Sequence, residues 1–144
     1  MAQRSLKKLS PAAVLTLGIS LLGLNLFFIG PALSRVLGVM PGNIAFVVIR
    51  VATLIAVTAV LSGVHKRNRF QTISAGAFIE FFDHVVFRGF FWAMDMRAHP
   101  EVWGKVGPME FAMGLLSGFV LFFPLILLLS FLGSELGLKL FKKR

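Results

Sequence analysis

The chain has no cysteine and no tyrosine, and only 6 of its 144 residues are acidic. Without cysteine it has no disulfide, thiolate metal site, thiol nucleophile or cysteine-ligated cluster. Charge of either sign is scarce: Asp, Glu, Lys and Arg make up 15% of the residues, against about 25% in an ordinary soluble domain. Absent too are a phosphate-binding glycine loop, a nucleophile elbow and a zinc-protease helix. No catalytic residue, metal-ligand set or cofactor is assigned on this basis.

Apolar residues are what the chain has most of. Hydrophobic residues are 57% of it and the mean hydropathy is +0.86. That excess is too large for one soluble core, so lipid must be the solvent for much of it. The net charge of +9 comes from 15 basic residues. Their positions argue against nucleic acid, because they sit at the ends of apolar runs, where the positive-inside rule puts them.

Four apolar stretches approach the roughly 20 residues that a helix needs to cross a bilayer core. They cover residues 11–29, 43–64, 72–94 and 111–133. Ser10 suits an N-cap, Pro11 the first helical position, and Gly30-Pro31 the end of the first stretch. Ala32-Leu33-Ser34 would pass as a signal-peptide cleavage site, but the apolar run before it is longer than a signal core and reads as a retained helix. The expected fold class is all-α: a polytopic membrane protein, one domain over residues 1–144, forming a bundle of four transmembrane helices.

Basic residues orient it. Arg4, Lys7, Lys8, Lys66, Arg67, Arg69, Lys139, Lys142, Lys143 and Arg144 fall on one side; Arg35, Arg97 and Lys105 fall on the other. Ten against three places both termini in the cytoplasm, across a membrane of the bacterial inner type. Trp92 and Trp103 fall at the outer boundary, where amphipathic rings settle.

The third stretch carries the chemistry. Glu80, Asp83, His84, Phe87 and Arg88 share one face of a regular helix, with Phe78, Phe82, Val85 and Gly89 opposite and able to meet lipid. Ionisable groups at that depth cost about 2.5–3.5 kcal/mol each and must face protein or water. Glu80 and His84, four apart, can pair. Arg50, the one charge of the second stretch, is the expected partner of Glu80 or Asp83, with Arg88 as the second counter-charge. Asn25 could add a neutral hydrogen bond.

Two readings compete. The stripe is a site for moving protons, ions or a small solute, with Glu80 and Asp83 as carriers and His84 as the pH-sensitive element. Alternatively it is a closed network that fixes helix register or holds another membrane subunit, making the chain an accessory or assembly component. A third class, an intramembrane metal-dependent enzyme, draws on the Glu-x-x-His-like spacing of Glu80, Asp83 and His84. The first and fourth stretches add no His, Asp or Glu to complete it. The expected partners are the lipid bilayer and either further copies of the chain or other membrane subunits, since four helices alone enclose little volume.

Weaker signals remain. Met40, Met94, Met96, Met109 and Met113 gather at the outer side, and Met94-Asp95-Met96 with His99 is a soft set suited to Cu(I); ordinary packing competes. Gly114 and Gly118 form a small-xxx-small pair for close helix approach. Pro124 should free the carbonyl of Val120. The tail from Lys139 to Arg144 suits anionic headgroups.

Overall fold

The computed structural model describes residue 6 and residues 8–141. All regular structure among them is helical. Three helices are long and apolar enough to cross a membrane: Pro11–Leu37, Val39–Gly63 and Pro108–Phe141. We call the first two α1 and α2. A third helical run, α3, covers residues 69–98. A short helix, α4 (Pro100–Trp103), leads into the long helix α5 (Pro108–Phe141). Arg4, Lys7, Lys142, Lys143 and Arg144 of the basic tally lie outside the described residues.

The surface agrees with lipid as the solvent. Large apolar side chains such as Val36, Leu121 and Phe28 are more than two-thirds exposed. So extensive an apolar surface is foreign to a water-soluble monomer. This is an integral membrane protein.

α1 begins where the sequence says: Ser10 accepts a hydrogen bond from the backbone N–H of Ala13 (3.1 Å), and Pro11 follows in the first turn. It does not end at Gly30-Pro31. Residues Asn25–Ile29 form a widened π turn in which the Gly30 N–H reaches back to the Asn25 carbonyl. The turn absorbs the break that Pro31 imposes, and the helix runs on to Leu37. What stops it is Gly38, at φ +91°, a left-handed conformation that glycine takes without strain. The expected connection 30–42 thus shrinks to a single residue. α2 starts at once at Val39 and folds back on α1, with Gly42 lying so close to Ser34 that a Cβ would not fit. α2 ends at Gly63, and Asn68 caps α3 by accepting from the Gln71 N–H (2.8 Å).

α1 packs on α2 and α3, and α5 packs on the same two, so α2 and α3 form the centre of the bundle. The core of Val14, Leu22, Val57, Leu61 and Ile79 ties α1 to that centre. Gly18 lets Val57 and Ile79 close against the α1 backbone, and the ring of Phe87 lies over Gly23.

α5 extends past residue 133, where the apolar stretch was expected to finish, because its last two turns face protein. Ser130, Gly133, Ser134 and Gly137 line one side of it and are all buried. They meet Thr58, Ala59, Ser62 and Gly63 of α2, backbone against backbone. Ser62 Oγ donates to the Ser134 carbonyl at 2.9 Å. Ser130 likewise fills the space over Gly76 of α3. Without a hydrophobic drive between helices in lipid, such close approach is what holds them together. The Gly114–Gly118 pair expected to do this does not: Gly114 has open space beside it, and Gly118 lies under the ring of His84. The packing motif begins at Ser130, more than three turns further on.

Candidate functional site

α3 is not one regular helix. Residues Phe82–Phe87 form a second π turn, and the Arg88 N–H bonds to the Asp83 carbonyl five residues back. An extra residue in the turn rotates everything after it by about one residue's worth, roughly 100°. The single polar face expected from regular spacing is therefore split. Glu80 and Asp83 turn to α2, His84 turns to α5, and Phe87 turns to α1. Gly89, expected to face lipid, is buried against Leu115 of α5. Phe78, half exposed, does face outward as expected.

Arg50 is the hub. Its Nε donates to Glu80 Oε1 at 3.2 Å and its Nη2 to Glu80 Oε2, a two-pronged pairing of the kind a guanidinium gives a carboxylate. The same Nε lies 2.9 Å from Asp83 Oδ2. That N–H is directed at Glu80, so Asp83 Oδ2 is held by charge without an aligned hydrogen bond of its own. Glu80 and Asp83 are 3% and 1% exposed, too buried to stand without a counter-charge. The cross-helix pairing expected of Arg50 is thus present, and with both carboxylates at once.

Arg88 completes the inventory less tightly. Its Nε is 3.9 Å from Asp83 Oδ2 and is buried without a hydrogen-bond partner among the described residues. Its guanidinium carbon stands 5.7 Å from the centre of the Phe46 ring, within cation–π range. Asn25, at the start of the π turn of α1, is buried and donates from Nδ2 to the Phe46 carbonyl at 3.1 Å. That bond fixes α2 against α1 one turn from Arg50, which is the neutral contact the sequence suggested.

His84 stands apart from the carboxylates. Its ring packs on Gly118, where a Cβ would come within 2.7 Å of Nε2, and between Phe119 and Phe122. The expected Glu80–His84 pairing is not made, because Arg50 occupies Glu80 and the π turn points the imidazole elsewhere. Among the described residues no group of three His, Asp or Glu could hold a metal ion. His99 lies near Glu101 (Nδ1 to Oε1, 3.3 Å) and Asp95 (Nε2 to Oδ1, 3.9 Å), on the exposed connection after α3. Trp103 donates from Nε1 to Asp95 Oδ2 (2.9 Å), which closes that connection.

Beside the network is a cavity of about 240 Å³. Arg50, Glu80 and Arg88 form its polar end, and Val47, Val51, Phe122, Leu125, Ile126 and Leu129 its walls. Sequence reasoning found the charges but not the cavity. The signal was the placement of small residues on α5, dense from Ser130 to Gly137 and replaced by Phe122, Phe123 and Leu125 before them. Compared with family models, with curated proteins and with solved structures, the chain matches none.

Proposed function

We propose that this protein is a transport component for protons, ions or a small solute, acting as an oligomer or within a larger membrane complex, and that the cavity between α2, α3 and α5 is its binding site. In this reading α3 is the fourth membrane span, its charges sheltered by α2 and α5. The Gly38 end of the bundle faces outward and both termini face the cytoplasm, as in a bacterial inner membrane. Lys8, Lys66, Arg67, Arg69 and Lys139 then share the cytoplasmic side.

The observation that carries the reading is the cavity itself, with Arg50, Glu80 and Arg88 at one end. Buried ion pairs contribute little net stability, and a closed network needs no space beside it. Room next to ionisable groups at membrane depth is what a transported species requires. Flux across liposomes containing the purified chain tests this. Wild type should conduct under an ion or pH gradient, and Glu80→Gln and Asp83→Asn should not, while remaining folded. Wild-type vesicles as tight as empty ones, across several ions and gradients, would overturn it.

The accessory-subunit reading draws on a different observation, the two-pronged engagement of Arg50 by Glu80. If the network only fixes the fold, the same substitutions lower stability and affect no flux.

A further inference from the structure

The cavity opens sideways. Val47, Phe122 and Leu125 at its rim are each about half exposed on the lipid-facing surface of α2 and α5. A ligand therefore reaches the charged end through the bilayer and needs an apolar body. At the charged end, Arg50 is engaged by both carboxylates, and Glu80 is occupied by Arg50. Arg88 is the group left over: it lines the cleft, its Nε is 3.9 Å from the Asp83 carboxylate, and that buried Nε has no hydrogen-bond partner among the described residues. A guanidinium with free donors facing an apolar space selects a planar anion such as a carboxylate.

Charge narrows the class. The cleft has room for a carboxyl head and a few methylenes. Arg50 and Arg88 balance Glu80 and Asp83, so the site is neutral when empty. A bare anion would leave it with one uncompensated negative charge in a low dielectric. A carboxylic acid avoids this: it crosses the lipid as RCOOH, its proton passes to Glu80, the carboxylate that lines the cleft, Arg50 stays paired with Asp83, and the resulting ligand carboxylate pairs with Arg88. One O–H bond breaks, one forms, and the net charge stays zero. A phosphate monoester would bring further charge even after giving up one proton.

From these features we infer that the cleft binds single-chain carboxylic acids that enter laterally from the lipid, with Arg88 as the head-group ligand and Glu80 as the proton acceptor. The inference rests on the proposed binding role of the cavity and names its substrate class.

Binding to the full chain in nanodiscs tests it, with dodecanoate as probe and dodecanol and dodecyltrimethylammonium as controls, read by native mass spectrometry and by the proton balance measured in buffers of differing ionisation heat. Dodecanoate should bind in a 1:1 complex and the controls should not. Arg88→Gln should weaken binding by about thirtyfold, the loss of a charge-assisted pair. Val51→Phe, which fills the cleft and leaves every charge in place, should abolish binding, so the result does not depend on the Arg88 variant folding. In Glu80→Gln the ligand's proton should no longer stay with the protein and should appear in the buffer. Equal uptake of dodecanoate and dodecanol, or dodecanoate binding unchanged in Val51→Phe, would overturn the inference. Dodecanoate binding without flux of any species would uphold it and sink the transport reading. Ion flux that Val51→Phe leaves intact, with no dodecanoate bound, would do the reverse.

Discussion

From Thr58 to Gly63, α2 lies against α5 with almost nothing between the backbones. From Val47 to Val51, the same two helices part and leave a cavity. The difference is in the side chains. At the closed end Ala59 and Ser62 face Gly133, Ser134 and Gly137, and a Cβ on either glycine would collide with α2. At the open end Arg50 turns toward α3, and α5 presents Phe122 and Leu125. There α5 follows α3 instead, through His84 over Gly118, Phe81 against Phe119 (5.8 Å) and Trp92 against Phe111 (6.4 Å). Pro124, which leaves the Val120 carbonyl without its usual N–H partner, stands between the two regimes. One helix pair thus serves as a clamp at one end and as the wall of a cavity at the other.

The contrast can be broken most severely at Arg50. Arg50→Leu leaves Glu80 and Asp83 buried together without their shared cation and should cost about 3–5 kcal/mol, read as unfolding by SDS titration in mixed micelles. The closed end comes next. Gly137→Leu forces α5 away from Ala59 and should cost about 1–3 kcal/mol in the same titration. If the clamp sets the shape of the open end, this variant should also change the accessibility of a cysteine placed at Leu125. Filling the open end is milder: Val51→Phe should stay within about 1 kcal/mol of wild type, since it enters existing space. Smallest is Gly114→Leu, which meets nothing within 4 Å and should change stability by less than about 0.5 kcal/mol. A Gly114 effect equal to that of Gly137 would mean that the N-terminal half of α5 is covered by another helix in the membrane, and the asymmetry between the two ends would no longer hold.

Sequence patterning located the helices because burial in lipid demands long uncharged runs, and that demand is local. It also found Arg50, Glu80, Asp83 and Arg88, because a charge in such a run is conspicuous without any fold. Their pairing followed from charge balance: two cations and two carboxylates at similar depth have few other partners. Helix ends were less legible. Gly30-Pro31 has the composition of a stop, yet a π turn over Asn25–Ile29 carried the helix through it, and nothing in the local residues announces an extra residue per turn.

The amino-acid sequence by itself determined that this is a helical membrane protein with a charged centre on one helix. The tertiary structure decided how that centre is arranged. Regular spacing put Glu80, Asp83, His84 and Phe87 on one face, but the π turn at Phe82–Phe87 sent the last two toward different helices. Spacing likewise nominated Gly114 and Gly118 for helix contact and passed over Gly133 and Gly137, because glycine looks the same whether its missing side chain admits a helix backbone or not. Which pair is used depends on where α2 lies, and a sequence pattern on α5 carries no information about the position of α2. The cavity has the same origin: it is the space left when two helices are held together at one end and apart at the other.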